Sequence, residues 1–246
     1  MASQGGLKGW TLITGASEGL GREFAILAAA EGRDLILAVR QAQKMEKLAE
    51  DLRARHKIAV EIIATDLSDP EAVELLWRRA ATRRRIDVLV NTADLPSEGR
   101  FQDSDFAHED RSVRVNVLAL TILMKRAVAH MLAAGGGRIL NLCSVAGHAP
   151  GPGKAVHHAT QAYVLSLSEA VAEDLRGTSV TVTAFCPGAT ATGAATAAGR
   201  IARSGWQAML AGRRIRVTGI GNRLFALASK AAPRFLMPRI TALFLK

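Results

Sequence analysis

The stretch from Trp10 to Phe24, WTLITGASEGLGREF, decides how the rest of the chain is read. Trp10 to Thr14 is a short apolar run that stops at a glycine turn. From Glu18 to Glu31 the apolar residues Leu20, Phe24, Leu27 and Ala28 then recur at helical spacing. Gly15, Gly19 and Gly21 therefore sit where a strand passes into a helix. Glycines there allow a tight turn and a close backbone approach to a pyrophosphate, while the helix start offers free N–H groups and positive potential. The stretch Gly15, Ser17, Glu18, Gly19, Leu20 and Gly21 is the expected pyrophosphate cradle.

Outward from this point the two periodicities keep alternating. Strands are expected at Asp34–Val39, Val60–Ala64, Asp87–Val90, Gly137–Cys143 and Val180–Phe185, with a last short one at Ile215–Thr218. Helices are expected at Gln41–Arg55, after Pro70, at Ser112–Leu132 and at Val156–Leu175. Two more, split by Pro233 and Pro238, fill about 219–245. Continuous apolar strands alternating with helices imply a parallel sheet covered on both faces. The expected architecture is α/β: one doubly wound Rossmann-type domain over residues 1–246, with ligands outside the carboxyl ends of the strands. The Gly/Ala/Thr-rich stretch is read as a mobile substrate flap, about 189–212. Trp206, Met209, Leu210, Phe225, Leu236 and Met237 make either a pocket wall or core.

The formal charge of +10 reflects arginine-rich runs at Arg78–Arg85 and Arg213–Arg216, with Lys230, Arg234 and Arg239 later. Such runs are usually solvated faces. Without a nucleic-acid-binding pattern, and with few aromatic residues to stack on bases, they do not predict a nucleic-acid partner. Anionic substrates, cofactor phosphates or an anionic membrane surface fit the charge better. No apolar run approaches the roughly 20 residues of a membrane span. The start MASQGGLKGW lacks the pattern of a secretory signal. Cys143 and Cys186 are expected as two reduced thiols in a cytoplasmic protein, with a redox role as the minor alternative. No metal-ligand spacing is apparent.

The string Thr14–Gly21, TGASEGLG, resembles the TGxxxGxG of short-chain dehydrogenases/reductases, and the resemblance runs from about Trp10 to Gly188. Asp66-Leu67 is similar to the family's adenine-contacting pair. Asn91-Thr92-Ala93-Asp94 resembles its NNAG turn with two substitutions, placing Asn91 and Ala93 beside the cofactor; Asp94 stands where the family has glycine and is expected to crowd or repel it. Asn116 matches the asparagine of the long helix, and Ser144 in LCSVAG the substrate-polarising serine. Pro187-Gly188 with Thr190 and Thr192 resembles the PGxxxT run beside the nicotinamide. The second strand ends without the carboxylate that a NAD site uses on its ribose, and Arg40 follows. Arg40 suits a 2′-phosphate, so NADP(H) is expected, with NAD(H) as the alternative.

The family's mechanism, as the resemblance implies it, uses a tyrosine as proton carrier and a lysine four residues on that lowers its pKa. Alignment puts His157 at the tyrosine position and Gln161 at the lysine position, where it also faces the ribose. Tyr163 falls about 240° further round the helix and is assigned to packing or an interface. Lys154 lacks the right offset. An imidazole titrates near neutrality without a cation, so Ser144, His157, Asn116 and Gln161 form the candidate catalytic set. Ser–His nucleophilic chemistry is the weaker reading, because no acid is evidently placed to orient the histidine. Three functions follow: an NADP(H)-dependent oxidoreductase with histidine in the tyrosine role; a cofactor-binding sensor or partner subunit without turnover; or an isomerase, cyclase or lyase using His157 or His158. The substrate is expected to be a small apolar or anionic molecule. The resemblance also implies a homodimer or homotetramer built on the faces Ala119–Ala127 and Ala159–Ala170.

Overall fold

The computed structural model describes residues 9–188, 195–231, 233 and 235–244. Seven parallel strands form one sheet in the order β3-β2-β1-β4-β5-β6-β7. They are β1 (Trp10–Thr14), β2 (Asp34–Val39), β3 (Val60–Ala64), β4 (Ile86–Asn91), β5 (Gly137–Leu142), β6 (Val180–Cys186) and β7 (Ile215–Val217). The order reverses at β1, which pairs with both β2 and β4, so a crevice opens at the carboxyl ends of β1 and β4.

Both faces of the sheet are apolar because successive strand residues point to opposite sides. Leu12, Ile36, Leu89 and Ile139 point to one face, under helices α3 (Pro70–Ala81), α5 (Leu120–Ala133) and α6 (Ala155–Asp174). Their chain neighbours Ile13, Leu35, Leu37, Val88, Val90 and Leu140 point to the other, under α1 (Gly19–Ala30), α2 (Gln43–His56) and α7 (Ala195–Leu210). Helix α3 starts as its sequence asks: Asp69 caps it by accepting from the Glu71 N–H at 2.9 Å, and Pro70 takes the first turn.

Three expectations change. The long helix begins six residues early. Asp105 caps α4 (Phe106–Val113), and the helix continues through a π-helical stretch, Arg114–Ala119, into α5. The polar, exposed first turn carries no apolar period, so pattern reading misses it. This continuous helix, Phe106–Ala133, is by length and composition apolar enough to cross a bilayer. Ala119, Leu123, Met124, Ala127 and Met131 bury one side of it against its own sheet, as in a core helix.

The stretch expected as a flap holds α7 instead, and Ala198, Ala202, Trp206 and Met209 are core residues beneath α1. Residues 189–194, with Thr190 and Thr192, lie outside the described residues. Cys143 and Cys186 are joined by a disulfide, with Cα atoms 4.8 Å apart, rather than being free thiols. Adjacent parallel strands deliver them side by side, and the Cys143 N–H donates to the Phe185 carbonyl. Cysteine usage therefore no longer argues for a reducing compartment. Helices α8 (Ile220–Ala231) and α9 (Met237–Phe244) complete the described chain.

Half of the arginines in the two basic runs are engaged in structure. Arg79 and Arg84 both pair with Glu61, and Arg84 also lies 4.5 Å over the Trp10 ring. Arg214 pairs with Glu173, and Arg216 donates to Ser204.

Candidate active site

A cleft of about 340 Å³ opens at the β1/β4 crevice. Gly15, Ser17, Glu18, Gly19, Leu20 and Gly21 line one side, and Ala38, Val39, Arg40, Thr65, Asp66 and Leu67 the end. Thr92, Ala93, Asp94, Leu95, Arg111, Val115 and Leu142 close it. Four separate sequence stretches expected at a cofactor thus meet around one cavity.

The glycine turn is shaped by close approach. Gly15 has φ +69°, and a Cβ there would lie 2.7 Å from Ala93 backbone atoms. A Cβ on Gly21 would strike the Gly15 carbonyl and the Thr92 hydroxyl. Thr92 ties the turn down further: its N–H donates to the Thr14 hydroxyl at 3.2 Å, and its own hydroxyl to the Thr14 carbonyl at 2.5 Å. Gly19, at φ +55°, faces open space, and Glu18 precedes α1 without a side-chain cap. The first N–H groups of α1 therefore stay available to an anion. The pyrophosphate and adenosine parts of a dinucleotide fit this cradle.

Arg40 is exposed at the end of β2, as expected. Arg111, which the sequence reading missed, lines the same cleft and bonds Asp66 at 3.2 Å. Arg111 precedes the expected start of the long helix by one residue and Asn116 by five, so neither the expected bounds nor the face of Asn116 pointed to it. Hydrogen bonds from the Ser68 N–H and hydroxyl, then the charges of Arg111 and Arg40, hold the Asp66 carboxyl below its usual range.

Several expected residues turn away from the cleft. The Asn91 side chain points into the sheet and donates to Asn141 at 2.9 Å; Asn141 in turn donates to Ser168. Asn116, buried in the π-helical stretch, acts as a clamp. Its Oδ1 accepts from the Leu95 N–H at 2.8 Å, and its amide donates to the Leu95 carbonyl and to Thr160. It holds the turn after β4 against α6. Gly188 packs tightly on Asn222, where a Cβ would clash. His158 is buried with Nδ1 2.7 Å from the Ala149 carbonyl, so it is a structural histidine. Burial pushes its imidazole pKa down. Lys154 pairs with Glu98, and the Tyr163 hydroxyl meets Thr121 at 2.9 Å on the outer surface, so neither enters the site.

Ser144 follows β5 and caps a short 3₁₀ turn, Val145–His148, accepting from the Ala146 N–H at 3.1 Å; its own hydroxyl proton stays free to donate. Ser144, His157 and Gln161 are not part of the cleft lining, but Asp94, which is, reaches the last two. Gln161 Nε2 donates to Asp94 Oδ1 at 3.0 Å, and His157 Nδ1 lies 3.9 Å from the same oxygen. An acid does therefore stand beside His157, contrary to the sequence reading. It comes from a turn 63 residues earlier, where spacing gives no hint of it. Crowding by protein raises the Asp94 carboxyl above its ordinary value, and the attraction of His157 opposes that rise.

The sequence matches the family described as short chain dehydrogenase over residues 9–201. The chain belongs to the short-chain dehydrogenase family. By that membership it is an oxidoreductase of the NAD(P)-dependent kind. A 7beta-hydroxysteroid dehydrogenase of Collinsella aerofaciens is 29% identical over 185 residues, 74% of this chain and 69% of that one. The solved short-chain dehydrogenase from Sphingobium yanoikuyae in complex with NADPH superposes with a TM-score of 0.79 at 29% identity, covering 91% of this chain and 93% of that one. A short-chain dehydrogenase/reductase from Burkholderia phymatum in complex with NAD has a TM-score of 0.80 at 23% identity, covering 89% and 92%, a likeness of fold.

Proposed function

We propose that this short-chain dehydrogenase binds NADP(H) in the β1/β4 cleft and works on a carbonyl or alcohol substrate, with His157 and Gln161 in the positions of the family's tyrosine and lysine. The observation that carries this reading is the convergence of the glycine turn, Arg40 and the Asp94–His157 contact along one crevice. When bound, the cofactor supplies or accepts a hydride at its nicotinamide ring. The N–H groups at the start of α1 hold the pyrophosphate, and Asp66 and Leu67 border the adenine. Arg40, with Arg111 lining the same cleft, meets the 2′-phosphate through charge-assisted hydrogen bonds. Pro187 and Gly188 lie towards the nicotinamide. The Ser144 hydroxyl donates to the substrate oxygen and polarises it, and His157 exchanges the proton at that oxygen. Gln161 offers its amide to the nicotinamide ribose.

Two measurements test this. Purified protein titrated with NADPH and NADH should prefer NADPH, and Arg40→Ala should weaken NADPH by about tenfold or more while NADH changes little. Equal losses for both cofactors would remove the NADP(H) assignment. A carbonyl panel with NADPH consumption followed optically should then show turnover. Binding without any turnover would favour the sensor or non-redox readings.

A second cavity of about 750 Å³, lined by His148, Pro150, Pro152, Ala159, Met237 and Pro238 among others, adjoins the start of α6 and suits an apolar part of the substrate. We also propose a homodimer or homotetramer. Ala119 and Ala127 are buried against their own sheet, so the pairing face is the outer one that exposes Leu118, Leu132 and Tyr163. A strict monomer by light scattering at micromolar concentration would exclude it.

A further inference from the structure

Departures from the family's pattern at positions 157 and 161 converge on another at position 94. Gln161 donates to Asp94 Oδ1 at 3.0 Å, and His157 Nδ1 stands 3.9 Å from that oxygen. His157 Nδ1 is buried and has no hydrogen-bond partner among the described residues. Asp94 is its nearest ion-pairing group, about 1 Å beyond hydrogen-bond length. Such catalytic contacts are often long before ligands bind and tighten afterwards.

We infer that Asp94 is the charge partner of His157, held in place by Gln161, and that the three residues form one acid–base unit replacing a tyrosine–lysine pair. This rests on the hydride-transfer reading above for its use, though not for its existence. The physical reason lies in the sign of the charges. A tyrosine is a neutral acid whose conjugate base is an anion, so a nearby cation makes it stronger and usable near neutrality. A histidine is a cationic acid whose conjugate base is neutral, so a nearby cation would strip its proton and a nearby anion keeps it. Changing the proton carrier from tyrosine to histidine therefore inverts the charge the neighbours must supply. Gln161 removes the cation and Asp94 adds the anion, each in the required direction.

The other charged groups near His157 fit this assignment. Lys154 and Glu98 pair with each other and largely cancel. His158 packs edge-on with ring centroids 6.3 Å away, and its burial favours the neutral form. His148 faces the second cavity. Asp94 keeps 36% of its side chain exposed to the cleft while protein surrounds it on the other sides, so its carboxylate faces both His157 and incoming ligand.

With Nδ1 turned to Asp94, Nε2 is the nitrogen that delivers the proton. In reduction the Nε2–H bond breaks and the substrate O–H bond forms. The substrate oxygen meanwhile takes the carbonyl π pair displaced by a hydride from a dihydronicotinamide, which is oxidised. The neutral imidazole then regains its proton from water.

The test uses ¹⁵N-histidine NMR on the full chain without cofactor, with the His157 signals assigned by their loss in His157→Gln. In the wild type the neutral His157 ring should carry its proton on Nδ1. Asp94→Asn should shift the ring towards Nε2–H, and Asp94→Glu should restore Nδ1–H. In His157→Gln the Asp94 carboxyl, followed by ¹³C, should titrate at higher pH than in the wild type, because an attraction that lowers it is gone. Should Asp94→Asn fail to fold, the wild-type tautomer and the carboxyl titration in His157→Gln still decide. A wild-type ring protonated on Nε2, a tautomer indifferent to Asp94→Asn, or an Asp94 titration indifferent to His157 overturns the assignment. Where carbonyl reduction is measurable, the pH above which it declines should move about one pH unit lower in Asp94→Asn. A responsive tautomer in a chain that neither binds NADPH nor reduces carbonyls would leave the unit standing and remove the hydride-transfer reading. Turnover with a pH profile untouched by Asp94→Asn would do the reverse.

Discussion

The two ends of the sheet each hold an acid beside a base, built to opposite purposes. At the amino-terminal edge Arg33 and Asp87 pair at 3.1 Å with 7% and 0% of their side chains exposed. At the carboxyl edge His157 and Asp94 stand 3.9 Å apart with 13% and 36% exposed. Burial raises both carboxyls above their ordinary value, and the neighbouring base opposes the rise in each case. The closed pair has a permanent cation and no room for ligand, so its charge is fixed by packing. The open pair has an imidazole in place of a permanent cation, and an acid that faces the cleft. Closure makes a structural ion pair, and openness makes one that ligand and pH can address.

The largest expected effect breaks the closed pair. Asp87→Asn leaves the buried Arg33 with only the partly exposed Glu31 carboxylate, 3.4 Å away, and should cost about 3 kcal/mol in denaturant unfolding, the low end for a broken buried pair, with NADPH affinity of the folded protein unchanged. Replacing both members with apolar residues of similar size should recover most of that loss. A small effect of the single change would mean water reaches the edge and the contrast between the two ends fails.

Next in size is a conversion of the open pair. On the proposed assignment of His157 and Gln161, His157→Tyr with Gln161→Lys supplies the tyrosine and lysine but leaves the lysine facing Asp94, which would claim its charge. Adding Asp94→Gly should therefore raise carbonyl reduction about a hundredfold over the double variant, the scale of a working general acid. Equal rates for double and triple variants would show that Asp94 does not touch the proton chemistry.

The smallest effect concerns acid stability. Because the folded carboxyl of Asp94 is raised, there is a window above its ordinary value in which the folded chain holds a proton that the unfolded chain has released. Stability from this group thus falls as pH climbs through that window. Relative to Asp94→Asn, which cannot titrate, the wild type should lose ground in urea midpoints as pH rises above the ordinary carboxylate value of 3.8. A difference that runs the other way would mean that Asp94 is favoured as an anion even without ligand.

Most of the cofactor crevice was legible in the chain itself. Gly15, Gly19, Gly21, Arg40, Asp66 and Leu67 are marked by their place after strands, and strand ends in a parallel sheet converge whatever the details of packing. Asn91 and Asn116 were found but their side chains were not understood, since one faces a buried asparagine and the other clamps a loop. Within the stretch read as a flap, Ala195–Leu210 is a helix because its small residues, which can read as a loop, let α7 lie close on α1. Glycines and alanines give no local signal between these outcomes.

Sequence by itself determined the alternation of strands and helices, the glycine turn, the cation after β2 and the unusual residues at 94, 157 and 161, because each is a matter of period or identity. Only the tertiary structure decided that His157 and Gln161 both reach Asp94, that Cys143 lies against Cys186, and that Arg111 joins Asp66 at the cleft. Each of these joins segments whose separation along the chain is bridged by neighbouring strands or by a helix laid across the sheet. Distance across a sheet depends on strand order and register, which no local pattern records.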